Sequence, residues 1–246
     1  ETLTLRFSAY LLAMFDGVET RRYYDDMAGV FCDMAATRIG RMACGVEAAA
    51  DIRLSYRWSL SFAASAGRYK FIRNPRITVI SDVDNSVVDA RAVSHLRGCT
   101  SGGAPQLTAC AELGYFGPKG WGFKTSAGYA GARYVEPSLL RRTERIARQG
   151  GTTREMFDAF TRQQRLGDAF TLDAALFKTF WFDRSRLTAS LILRNLLGDG
   201  DIVYSAYESQ RVRRIRSGDT LCYAPHATRL TYAYPRSFYL TVSYRF

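Results

Sequence analysis

Apolar and polar residues alternate with a period of two along most of the chain, and a period near 3.6 shows in one segment only. The stretch SFYLTVSYRF (237–246) sets Phe238, Leu240, Val242, Tyr244 and Phe246 against Tyr239, Thr241, Ser243 and Arg245. Near the other end, Leu3, Leu5, Phe7, Ala9 and Leu11 alternate with Thr4, Arg6, Ser8 and Tyr10. The same pattern recurs at 44–58, 58–72, 107–116, 121–133, 170–181 and 186–195. It predicts about eight strands, each near the ~9–11 residues that a tilted strand needs to cross a bilayer. The helical exception is TTREMFDAFTRQQR (152–165). There Thr152 and Glu155 have capping-box spacing, and Met156, Phe157 and Phe160 share a face.

The connections alternate in length. Short ones fall at 56–59, 116–120 and 182–186, and long ones at 15–42, 73–106, 134–169 and 196–235. In an antiparallel meander this puts every short turn at one end of the sheet and every long loop at the other. Outer-membrane barrels are built that way, with short periplasmic turns and long extracellular loops. All three tryptophans, Trp58, Trp121 and Trp181, flank short turns, with Tyr56, Tyr115, Phe182 and Tyr244 at the same level. An indole or phenol ring favours the headgroup boundary, where the ring is buried and its polar atom stays wet. Aromatic capping of a soluble β-core would explain these rings but not the loop asymmetry. The expectation is an all-β, transmembrane antiparallel barrel sheet whose terminal strands do not pair with each other.

Charge and candidate chemistry change this picture little. The 246 residues include 34 Lys and Arg against 23 Asp and Glu, a net charge of +11. The positives gather at 141–154 and 211–216, without the interleaved aromatics of a base-stacking platform, so no nucleic-acid partner is expected. On the long-loop side, Arg141, Arg142, Arg145, Arg211, Arg213 and Arg214 are candidates to contact lipopolysaccharide phosphates or an anionic ligand. His95 and His226 have no ligand spacing, and SDVDN (81–85) lacks the glycine and distant glutamate of a calcium hand. Five cysteines show no CxxC spacing, although Cys99 and Cys222 could pair in an oxidising compartment. No enzymatic activity, metal or cofactor is expected.

The runs RNLLGDG (194–200) and YPRSFYLTVSYRF (234–246) resemble the C-terminal barrel of TonB-dependent outer-membrane receptors. GVEAAADIRLSYRWSLSFAASAGRY and AELGYFGPKGWGFKTSAGYAG are similar to the strand–turn–strand units of the same barrels. The resemblance implies that residues 1–246 form the C-terminal part of a 22-stranded barrel, without the N-terminal plug. It implies energy-coupled uptake of a scarce ligand, such as a metal chelate, cofactor or glycan, across the outer membrane of a Gram-negative bacterium. It further implies lipid and lipopolysaccharide as surroundings and the TonB protein as a partner through the missing plug. Phe246, Tyr244 and Val242 then match the signal read by the barrel-assembly machinery. The other expectation is a self-contained eight-stranded barrel acting as an anchor or adhesin.

Overall fold

The computed structural model describes residues 2–148, 151–198 and 200–246. The chain is mostly strand, and its pairings are antiparallel apart from one isolated bridge. The main sheet has ten strands. Eight of them form one meander: β1 (Leu3–Asp25), β2 (Val30–Arg53), β3 (Trp58–Phe71), β6 (Leu107–Phe116), β7 (Trp121–Gly131), β10 (Ala169–Trp181), β11 (Arg186–Arg194) and β16 (Ser237–Arg245). The other two, β4 (Arg76–Ser81) and β5 (Val87–Val93), flank the upper half of β2. Three turns at one end, 54–57, 117–120 and 182–185, join β2 to β3, β6 to β7 and β10 to β11. The sheet is open, because β1 and β16 lie at opposite ends of the strand order.

The register explains why the two faces differ. One hydrogen-bonded row runs Leu3–Ile52–Leu60–Leu113–Thr125–Ala174–Leu193–Phe238, and the row two residues on runs Leu5–Ala50–Phe62–Ala111–Ala127–Leu172. Successive side chains of a strand point to opposite faces, so both rows lie on one face, and it is almost wholly apolar. The opposite face carries Arg6, Ser8, Glu47, Asp51, Ser61, Ser65, Glu112, Lys124, Ser126, Asp173 and Ser190. Arg6 pairs with Asp51, Ser61 Oγ donates to Asp51 at 2.7 Å, and Lys124 Nζ donates to Glu112 at 2.8 Å.

The rows also climb. The first row lies about four residues from the centre of the 54–57 turn, about six from the next turn and about nine or ten from the third. With the short turns taken as one level, ~3.3 Å rise per residue and ~4.8 Å between strands, this stagger is a strand tilt of roughly 40°.

The segment 15–42, expected as a loop, is instead strand. β1 and β2 run on together past the rest of the sheet and turn only at 26–29. Register shifts near Asp16 and Arg38, both at positive φ, switch the phase of the hairpin there. Above the shifts, Met34, Ala36 and Ile39 pack with Phe71, Ile77, Val79, Leu96, Leu139 and Leu140 in the main buried core. Phe71 stands opposite Arg41, so this core is on the same side of the sheet as the polar face.

The other long connections are also structured. Residues 133–166 contain β8 (Arg133–Tyr134), α1 (Glu144–Ala147), α2 (Arg154–Thr161) and β9 (Arg165–Leu166). The last excursion forms two ribbons, β12 (Val203–Tyr207) with β15 (Arg229–Tyr232), and β13 (Val212–Ser217) with β14 (Thr220–Pro225). The predicted helix exists but starts one residue later, at an N-cap of Thr153, whose Oγ1 accepts from Met156 N at 3.2 Å. Thr152 and Glu155 therefore do not form a capping box. Phe160 is buried against Ile146, Val212 and Tyr223.

Candidate functional site

Two regions carry chemistry beyond the fold itself, and the first is the apolar face. Leu5, Phe7, Leu11, Phe62, Leu176, Phe238 and Leu240 are all exposed on it, Leu240 at 70%. Eight strands at ~4.8 Å spacing make it about 35 Å wide, on the order of 1,000 Å² in geometric area. The largest apolar patch of a soluble monomer is typically ~300–600 Å². Near the short turns the face ends in rings: Trp58 lies 4.7 Å from Tyr115 and 5.6 Å from Phe123, and Lys178 Nζ sits 4.9 Å from the Trp121 ring. Tyr56 is on the turn itself, and Phe182, Tyr244 and Phe246 are exposed at this end.

Trp181 is at the same level but on the other phase. It falls with Phe177 and Thr179, and its ring lies over Gly120, where a Cβ would come within 2.3 Å of it. Alternation alone places it there, a distinction that proximity to a short turn does not make. A second set of rings, Tyr129 opposite Phe170 and then Phe238, marks the long-loop end of the apolar face. Sequence reasoning passed over these, although their phase on the strands would have revealed them.

The second region is the junction of the long excursions. Arg142 is fully buried, and both arms of its guanidinium meet the Glu208 carboxylate, Nη2 to Oε1 at 2.8 Å. Glu208 also accepts from Ser138 N at 2.8 Å. Burial disfavours the Arg142 cation, but Glu208 more than offsets it and holds the guanidinium above its ordinary pKa. Arg141, also buried, donates to the carbonyls of Ser209 at 2.9 Å and His226 at 2.7 Å. Arg145 grips Asp25 with both arms, and Arg211 grips Asp26 at 2.7 and 3.1 Å. Arg214 donates to Asp26 O at 2.9 Å, and Arg213 is exposed.

Most of the arginines expected to meet an external anion therefore spend their donors on internal bonds. Arg141 and Arg142 are turned inward, where neither reaches a ligand at the surface. What they do is tie the last two excursions to each other, while Arg145 and Arg211 tie them to the tip of the β1–β2 hairpin.

The remaining candidates resolve into structure. Asp82 pairs with Arg22, and Asp84 accepts from Ser86 N and Oγ at 3.1 and 2.7 Å, which closes a plain turn at 81–86. Among the described residues, no three His, Cys, Asp or Glu side chains converge as a metal site. His95 N donates to Arg142 O, and the five cysteines are free, Cys99 beside the main core and Cys222 against Gly151 O.

Asp25 gives the hairpin tip a pH response. Burial alone would raise its carboxyl, but donors from Arg145, the Ala28 N–H and the Tyr23 hydroxyl outweigh burial and hold it below the ordinary value. A carboxyl depressed on folding contributes stability that is present above its unfolded pKa, near 3.8. That contribution is lost as pH falls through the lower folded value. Protection of the amides at residues 23–31 against exchange, relative to their intrinsic rates, should therefore fall below about pH 4, and Asp25→Asn should abolish that acid-dependent part.

No family model, curated protein or solved structure matches this chain.

Proposed function

We propose that the chain is a segment of a transmembrane β-barrel in the outer membrane, belonging to an energy-coupled receptor for a scarce ligand. The observation that carries this reading is the division of the sheet. Its apolar face is continuous and uncovered, while its polar face bears the ion pairs and lies on the side of the excursion core. A lipid-facing strand requires that division, with apolar residues toward acyl chains and polar ones toward a lumen. The stagger agrees, since a tilt of roughly 40° falls within the ~35–45° of membrane barrels. Among the described residues no helix is long and apolar enough to cross a membrane, which has no bearing on strands.

The open sheet favours a large barrel over a self-contained eight-stranded anchor. Both edges carry unpaired backbone groups, which hydrocarbon does not tolerate, so further strands complete the ring in this reading. The receptor assignment itself rests on the likeness of 194–200 and 234–246 to receptors of the TonB-dependent class. Of the arginines expected to meet an external anion, Arg211, Arg213 and Arg214 are the exposed ones.

The two phases of tryptophan make the test. In vesicles containing brominated phospholipid, single-tryptophan variants should show strong quenching of Trp58 and Trp121 and weaker quenching of Trp181. Equal quenching of all three, or of none, would refute the membrane assignment of the apolar face.

A further inference from the structure

Beside β2 the neighbouring strand changes. β3 pairs with it up to Phe71 opposite Arg41, and β4 takes over with Arg76 opposite Thr37. Residues 72–75 leave the sheet in between, and an open cavity of about 450 Å³ adjoins the gap. Arg38, Arg73, Asn74, Arg76 and Arg97 line it, together with Ile72 and Val93. None of these residues is acidic.

The backbone is arranged for this convergence. Arg38 is held at φ 59°, a conformation that side chains other than glycine rarely adopt. The Arg73 stem lies across Gly40, where a Cβ would stand 3.0 to 3.1 Å from it and the stem would have to give by a few tenths of an ångström. Arg73 meets Asp16 at 3.1 Å, and Arg76 donates to the Arg91 carbonyl at 3.4 Å. Arg38 and Arg97 are exposed, and neither has an ion-pair partner among the described residues. Four cations thus converge with one carboxylate at the margin. A multivalent anion among them would offset their mutual repulsion, and guanidinium forks match phosphate oxygens in geometry.

The position indicates what carries the anion. Ile72 and Gly40 continue the apolar phase of their strands, so the cavity opens on that face rather than the polar one. On β3 the same phase reads Trp58, Leu60, Phe62, Ala64, Ala66 and then Arg68 and Lys70, so positive charge begins where the apolar belt ends. From Ala66 to Ile72 the climb is roughly 15 Å along the barrel axis. We propose that this cavity binds phosphate groups on the headgroup of an anionic glycolipid in the leaflet around the barrel. The lipid source rests on the barrel reading, but the phosphate site does not.

The experiment compares the full chain in vesicles containing bisphosphorylated lipid A with the chain in vesicles containing its dephosphorylated form. Binding of a fluorescent lipid probe should favour the phosphorylated form by at least about tenfold, and R38Q/R97Q should remove most of that preference. R184Q, at an exposed arginine on the 182–185 turn at the other end of the sheet, should leave it intact. Equal binding of the two lipids, or full preference in R38Q/R97Q, would overturn the proposal. Tight binding of inorganic pyrophosphate at these arginines without any lipid preference would overturn the lipid assignment. A chain that failed to insert, yet bound the phosphorylated disaccharide headgroup through Arg38 and Arg97, would sink the barrel reading and uphold the phosphate site.

Discussion

Replacing Arg142 with methionine is expected to destabilise the excursion junction by about 3–5 kcal/mol, the usual cost of breaking a buried ion pair by removing one partner. Arg142 and Glu208 are both buried, and the guanidinium is the carboxylate's only bidentate partner among the described residues. Without it, the Ser138 N–H is the carboxylate's one remaining hydrogen-bond donor among the described residues, inside a low-dielectric pocket. The pair joins segments 66 residues apart, which the Glu136–Tyr207 bridge, the Ser138–Gln210 hydrogen bond and Arg141 also tie together, so the loss falls on the buried charge more than on the register. The neighbouring Arg141 gives its hydrogen bonds to carbonyls and acts on Glu208 only through space, which offsets part of the orphaned charge. Limited proteolysis should cut R142M within 196–235 much faster than wild type while the meander strands stay protected. The double variant R142M/E208L should recover a large part of the loss, because it leaves no unpaired charge buried. If R142M alone were as resistant as wild type, the pair would not be the strut described.

The meander strands were legible because each has two faces in different surroundings, which imprints a period of two. β6 at Leu107–Phe116 is an example: Leu107, Ala109, Ala111, Leu113 and Tyr115 face one way, and Thr108, Cys110 and Glu112 the other. The upper halves of β1 and β2 were not legible, for two physical reasons. The register shifts near Asp16 and Arg38 exchange the faces midway, so a single alternating run is broken. Above them one face holds buried Cys32 and Met34 while the other offers Arg22, Asp33 and Phe31, a mixture that reads as loop. The arginine cluster at 141–145 was misread for a related reason. A charge in a loop looks solvated until its partner is known, and Glu208 is far along the chain. The cavity arginines were hidden by the same separation, since Arg38 and Arg97 meet only where β4 replaces β3.

Arginine at Leu191 should cost about 2–4 kcal/mol in a bilayer, while arginine at Ser190 should cost under about 1 kcal/mol. The two positions are adjacent on β11, so they share depth, strand and sequence context and differ only in phase. Leu191 stands between Leu176 and Leu240 in the apolar rows, and Ser190 between Phe177 and Thr241 on the polar face. In the barrel reading an arginine at 191 must either enter hydrocarbon or drag headgroups toward it, whereas at 190 it extends into a wet lumen. The free energies follow from reversible folding into vesicles along a denaturant series. The difference should nearly vanish in a short-chain detergent micelle, which deforms around a charge. Equal losses at both positions in the bilayer would show that the apolar face does not meet lipid. A larger loss at 190 would reverse the assignment of the two faces.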